Sequence, residues 1–172
     1  MRMQKLVSQV FQKAVREYFA DSPLGVSRIP VLRRPADVAS LDELKDRLDG
    51  YIESSYRDFL LVSDGMDGLP LVILGCSDWE PDGFGERAIS YRDELDGIGT
   101  PQDVGVEEGV PFFPVAINEE GSDGIFMGEF TLGGEYRFWW VGEGSSRFFA
   151  DFYDVLAYMH DKASYDPVET LD

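Results

Sequence analysis

The stretch Ile125-Phe126-Met127-Gly128-Glu129-Phe130-Thr131-Leu132-Gly133-Gly134-Glu135-Tyr136-Arg137-Phe138-Trp139-Trp140-Val141 sets two runs rich in aromatic and branched residues on either side of a glycine pair. Both central positions of a two-residue hairpin turn need the positive φ that glycine adopts without a Cβ clash, so Gly133-Gly134 predicts such a turn. A strand over Ile125–Leu132 and a return over Glu135–Val141 follow. That register places Met127 opposite Trp140 and Gly128 opposite Trp139, so a large ring meets an empty position on one face.

Upstream, Phe112–Ile117 has the length and composition of a strand, and residues 119–124 carry turn chemistry leading into the hairpin. Leu71–Leu74 predicts a further strand, with Pro70 pointing to a sheet edge. Residues 77–110 are rich in glycine and acids without sustained apolar period, which predicts a long irregular loop. Helical spacing dominates elsewhere. Met3, Leu6, Val7, Val10, Phe11, Ala14, Val15, Tyr18 and Phe19 form an amphipathic stripe over 3–19, stopped by Asp21-Ser22-Pro23 and Gly25. It reads as a packed helix rather than one lying on a membrane. Ser40 and Glu43 form a capping box ahead of Leu41, Leu44 and Leu48. A short helix from Ser54 or Ser55 buries Tyr56, Phe59 and Leu60 and ends at Asp64-Gly65. A last helix spans about 149–162 on Phe152, Tyr153, Leu156 and Met159. Helices, then an antiparallel sheet, then a helix make an α+β layout rather than a βαβ alternation.

The 172 residues suit one domain: an N-terminal helical extension over 1–35, a core over 40–160 and a frayed tail over 164–172. Hydrophobic residues at 44% and aromatics at 13% supply enough burial to exclude wholesale disorder. A single cysteine, Cys76, forms no internal disulfide, and with no cationic-apolar-cleavage pattern at the start the expected compartment is the cytoplasm. No apolar run reaches the roughly 18 residues of a membrane span. The formal charge of −18 is uneven. Residues 1–35 carry seven bases against Glu17 and Asp21, an excess of +5, whereas residues 78–130 carry fourteen acids against Arg87 and Arg92, an excess of −12. Such a field repels nucleic acid and speeds encounter with a basic partner; its plain alternative is a solvated acidic surface.

Tyr56-Arg57-Asp58-Phe59-Leu60-Leu61-Val62-Ser63-Asp64-Gly65, behind the Leu44/Leu48 helix, resembles the signature segment of the SUKH superfamily, also called Smi/Knr-like. Phe113-Pro114-Val115-Ala116 is similar to that family's "F-A" strand, and Asp123-Gly124 through Glu129-Phe130 to its "G-D-Y-x-x-x-D" strand. Phe149-Ala150-Asp151-Phe152-Tyr153-Asp154-Val155-Leu156 is similar to its closing helix. The resemblance covers about residues 40–160, and its specificity lies in the order and spacing of the pieces. Ile52-Glu53 stands where the family has Leu-Pro, and Asp64-Gly65 where it has Asn-Gly; aspartate keeps the acceptor that closes that turn. The resemblance implies an antiparallel sheet of about four to six strands packed against helices. It also implies a structural role for Tyr56, Phe59, Leu60, Asp64, Gly65, Phe113, Gly124, Glu129, Phe152 and Leu156. Members are mostly bacterial immunity proteins that bind and neutralise a toxin domain in polymorphic toxin systems, and some are cellular regulatory adaptors.

Reactive chemistry finds little footing in this chain. His160 is the only histidine, so a serine-type nucleophile has one conceivable base, and Gly75-Cys76-Ser77-Asp78-Trp79 lacks the fifth-position glycine of a nucleophile elbow. His160 reads as a partner of the helix carbonyl end, and Cys76 as a small core residue. Four-ligand Cys/His zinc is excluded by counting. Asp78, Glu80, Asp82 and Gly83 imitate the start of a calcium loop, but the twelfth position, where a bidentate glutamate belongs, is Ile89. No metal and no cofactor are therefore expected, and no catalytic residue is named; a hydrolase remains the weakest reading. The segment 78–108 remains, in which Asp78, Trp79, Glu80, Asp82, Phe84, Asp93, Glu94, Asp96, Asp103, Glu107 and Glu108 are candidate partner-binding residues. Rings supply burial and carboxylates supply steering; alternatively, Trp79 packs back on the core of a solvated loop. The leading expectation is an immunity protein that caps a basic toxin domain, such as a nuclease. The second is a regulatory adaptor without a toxin.

Overall fold

Seven strands form one antiparallel meander among the residues described by the computed structural model, 1–21 and 28–171. They are β1 (Val31–Leu32), β2 (Met66–Asp67), β3 (Val72–Ile73), β4 (Phe112–Ile117), β5 (Asp123–Gly128), β6 (Phe138–Gly142) and β7 (Ser145–Phe149), and each pairs with the next in sequence. The six α-helices among the described residues are α1 (Arg2–Asp21), α2 (Val38–Arg47), α3 (Ser54–Leu60), α4 (Phe84–Gly97), α5 (Thr100–Asp103) and α6 (Phe152–His160). The α+β layout with a long N-terminal and a C-terminal helix is thus present, with one strand more than the upper end of the expected range. The residues expected to stop α1 beyond Asp21, Ser22-Pro23 and Gly25, lie outside the described residues.

The deciding hairpin forms with a different register. Ile125 faces Trp140, Phe126 faces Trp139 and Met127 faces Phe138. The shift from the expected pairing is two residues, which keeps every side chain on its face. The cause is the turn: Gly134 has φ +64, but Gly133 does not take the left-handed region, and Gly134 N–H donates to Thr131 O at 2.9 Å. The Thr131 hydroxyl also accepts from Glu135 N–H, so the chain closes a wider loop and β5 ends at Gly128. The tight two-residue turn lies instead at Glu143 and Gly144, with φ +49 and +72, and adds β7, a strand not expected from the sequence, whose last residue, Phe149, was expected to open the final helix.

Alternation assigns the two sheet faces. Phe112, Phe126, Trp139 and Phe148 share one, their rings 5.3–6.2 Å apart, and α4 covers them with Ala88, Tyr91 and Leu95; the Tyr91 ring lies 6.0 Å from Phe126. Phe138, Trp140 and Phe149 share the other, beneath Phe152 and Tyr158 of α6, with Tyr56 and Phe59 of α3 meeting Phe152 edge-on. Met3, Val7 and Val10 bury the inner stripe of α1 against this side. Aromatic pairs of this geometry each add about 0.5–1.5 kcal/mol beyond area burial.

Several local expectations change. Residues 77–110 are a 3₁₀ turn (Cys76–Trp79), α4 and α5 rather than an irregular loop. The buried stripe of α4 is one residue wide, Ala88–Tyr91–Leu95, and Gly85 leaves the space taken by the Trp79 ring, 2.6 Å from where a Cβ would stand. Asp37, not Ser40, caps α2, accepting from Ser40 N–H at 2.7 Å; Leu41, Leu44 and Leu48 are buried as expected. Glu53 caps α3 through Ser55 and Tyr56 N–H at 2.7 and 3.1 Å. β3 lies between β2 and β4, so Pro70 precedes an interior strand; the exposed edge is β1. The last helix starts at Phe152, capped by Asp151. Residues after Ser164, expected to fray, are tied down: Phe148 N–H donates to Val168 O at 2.7 Å and Leu171 N–H to Val104 O at 2.9 Å.

Asp123, where β5 begins, makes a pH-dependent contribution. Burial raises its carboxyl above the ordinary range against the opposing Trp140 Nε1–H, which donates to Oδ1 at 2.8 Å. A carboxyl raised on folding contributes stability that is full below its unfolded value near 3.8 and lost as pH rises through the folded value. Asp123→Asn keeps the acceptor for Trp140 and sheds the charge. It is therefore expected to melt above the wild type at pH 7 and to lose that advantage at pH 3.

Candidate functional site

At the end of the sheet where β4 begins and β5 ends, two depressions of about 320 and 420 Å³ adjoin through Val110 and Glu129. Their walls mix apolar side chains with polar groups. Phe113 belongs to the β4 strand, Phe130 follows β5, Val110 and Pro111 lead into β4, and Tyr51 stacks on Phe113 with ring centroids 5.6 Å apart. Leu132, in the wide turn, is 95% exposed. Glu107, Glu108 and Glu129 rim the groove with exposed carboxylates. Burial, then the charges of Glu53 and Glu129, pushes the Tyr51 hydroxyl up to about 12, so it stays a neutral donor at physiological pH.

α4 delivers further acids to this end. It starts beside the β4–β5 turn, where Arg87 donates to Glu119 O at 2.7 Å, and runs along β4 and β5 for 14 residues, about 21 Å. Asp93, Glu94 and Asp96 are exposed on its last turns, and Asp103 on α5 and Glu107 and Glu108 continue the series back to β4. No lysine or arginine occurs from Asp93 to Tyr136. Arg92 pairs with Asp93 at 2.9 Å; Glu94, Asp96, Asp103, Glu107 and Glu108 form no ion pair among the described residues.

The eleven residues named from sequence are thus divided. Asp78 and Trp79 are turned inward. The Asp78 carboxylate accepts from Arg33 Nη1 at 2.5 Å and from Gly75 N–H at 2.6 Å, and Trp79 is 9% exposed. Phe84 is flanked by the guanidinium groups of Arg28 and Arg87, 4.7 and 5.0 Å from its ring centre. Glu80 and Asp82 are exposed near the start of α4, a helix length from the groove. Asp93, Glu94, Asp96, Asp103, Glu107 and Glu108 remain together. Of the residues with an implied structural role, Tyr56, Phe59, Leu60, Phe113, Phe152 and Leu156 are buried in the core, and Gly65 takes φ +93. Asp64 Oδ1 accepts from Cys76 N–H at 2.6 Å, and a Cβ on Gly124 would stand 3.1 Å from Ala116 O. Glu129 is instead exposed on the groove rim. Sequence reasoning missed Tyr51, Val110, Pro111, Phe130 and Leu132; the one available signal was an apolar Leu132 beside a glycine pair in a turn.

Among the described residues, no group of three or more His, Cys, Asp or Glu side chains converges to hold a metal ion, and no helix is long and apolar enough to cross a membrane. Burial, then Asp64, pushes the Cys76 thiol up to about 12, which leaves little thiolate at neutral pH. No protein-family model and no curated protein matches this chain.

Proposed function

We propose that this chain is an immunity protein of the SUKH type that binds, and so neutralises, a toxin domain with a basic surface, such as a nuclease. The observation that carries the reading is the set of exposed carboxylates from Glu94 to Glu108, unpaired among the described residues, beside a groove with apolar side chains in its walls. Crowded like charges repel one another, and a cationic partner relieves that repulsion while they steer it in. The groove supplies what charge alone lacks: the exposed Leu132 and the half-buried Tyr51 offer apolar anchorage inside a carboxylate rim, the arrangement in which a few side chains carry most of the binding energy. The α+β architecture with its terminal helices is of the kind that the resemblance over residues 40–160 implies.

Co-production with the product of the adjacent gene, followed by affinity purification, tests this reading. A stoichiometric complex that suppresses toxicity is expected. Leu132→Ser should weaken it about tenfold or more without moving the melting temperature. Failure to bind the neighbouring product, or a complex indifferent to Leu132 and to the carboxylates, would overturn the proposal. A toxin-free complex with a host regulatory protein would make the chain an adaptor instead.

A further inference from the structure

At the opposite end of β5, about 20 Å from Glu129, the α1–α6 side of the sheet holds a second cavity of about 370 Å³. It shares no lining residue with the groove and stands independently of the proposed toxin partner. Its size is at the small end of small-molecule sites, about 300–1,000 Å³. α1, the Leu69–Leu71 segment, the β6–β7 turn and the end of α6 wall it, with the Trp140 indole on one side.

Two opposite charges line this cavity without meeting. Among the described residues the Asp123 side chain accepts only Trp140 Nε1–H, at 2.8 Å, and the Arg147 guanidinium donates only to Ser145 Oγ, at 3.2 Å, while lying 5.8 Å from the Tyr158 ring centre. Both are partly buried, they stand on the same face of the sheet on β5 and β7 with β6 between them, and no ion pair joins either to any described residue. Lys13, by contrast, is satisfied internally by Met159 O at 3.0 Å and Glu17 at 3.6 Å. The backbone is shaped around the carboxylate: a Cβ on Gly142 would stand 2.5 Å from Asp123 Cγ and Oδ1. Taking each charge out of water costs free energy, of which Asp123 regains only part from Arg147, with which it makes no direct contact.

We propose that this cavity binds a small zwitterion of the α-amino acid class, its carboxylate on Arg147 and its ammonium on Asp123, against the face of Trp140. A guanidinium receives a carboxylate with two parallel hydrogen bonds, and an ammonium gains from both a carboxylate and an indole face. An anion alone meets Asp123 and Glu143, and a cation alone meets Arg147 and Lys162. Only a ligand with both charges satisfies the pair.

The test titrates the full chain with the free L-α-amino acids at millimolar concentration, following the indole N–H resonance of Trp140, identified by its loss in Trp140→Phe, and the melting temperature. Acetate and methylammonium serve as half-ligands. At least one amino acid is expected to shift the resonance and raise the melting temperature while both half-ligands stay silent. Arg147→Gln and Asp123→Asn should each weaken that ligand about tenfold or more, the loss of one charged hydrogen bond. Asp123→Asn should do so although the folded chain is more stable at pH 7. The proposal is overturned if no amino acid registers, if a half-ligand binds equally well, or if both substitutions leave the affinity unchanged.

Discussion

Replacing Arg33 with methionine is expected to cost about 3–5 kcal/mol of stability, because it leaves carboxylates in low-dielectric surroundings without their cation. Arg33 Nε and Nη2 hold Asp67 at 3.2 and 3.1 Å, and Nη1 holds Asp78 at 2.5 Å and Asp64 O at 3.2 Å. One side chain thus ties β1 to β2, to the turn at Gly65 and to the 3₁₀ turn that carries Trp79. Burial disfavours the Arg33 charge, but Asp78 and Asp67 outweigh it and hold the guanidinium above its ordinary value. A chain of this size loses about 2–4 °C per kcal/mol, so thermal melts should show a fall of roughly 6–20 °C. Asp67 keeps Arg28 at 3.5 Å, whereas Asp78 has no second cation among the described residues. Asp78→Asn should therefore restore more stability than Asp67→Asn on the Arg33→Met background. A fall of less than about 1 kcal/mol, or equal restoration by both, would show that the junction is not what holds these segments.

Neutralising Asp93, Glu94, Asp96, Glu107 and Glu108 together, as Asn and Gln, is expected to have the largest effect on binding. It removes five of the eighteen excess negative charges, all exposed and clustered at the groove end. Steering by a one-signed surface raises association rates by roughly 10–1,000-fold, and most of that gain should vanish. Stability should hold or rise, since the Arg92–Asp93 contact is the only ion pair disturbed among the described residues and like-charge repulsion falls. Stopped-flow association with the partner domain reads the first effect and a thermal melt the second. A slower association together with a large drop in melting temperature would instead indicate structural damage.

Strong local chemistry was legible in the chain. The stripes of α1 and α2, the buried Tyr56, Phe59 and Leu60 of α3 and the aromatic strands β4 to β6 rest on periodicity and burial that any tertiary context preserves. α4 was not, because its buried stripe is narrow and its N-terminal turn contains Gly85, whose purpose is visible only once Trp79 lies across it. β7 was missed because its turn uses Glu143 at positive φ, a position that favours glycine or asparagine. The same limits governed the site. The acids of 93–108 could be read as a charge run, whereas the groove is assembled from Tyr51, Val110, Phe130 and Leu132, brought together from three separate segments. Asp78 was misassigned to the surface because its cation, Arg33, lies 45 residues away in sequence.

Association kinetics with the toxin domain, measured for the wild type and the five-residue neutralised variant between about 10 mM and 1 M salt, test the central claim most directly, since the screening length falls from about 30 to 3 Å over that range. The account predicts a steep decline for the wild type, which meets a slow and nearly salt-independent variant at the high end. Two superimposable curves would contradict it.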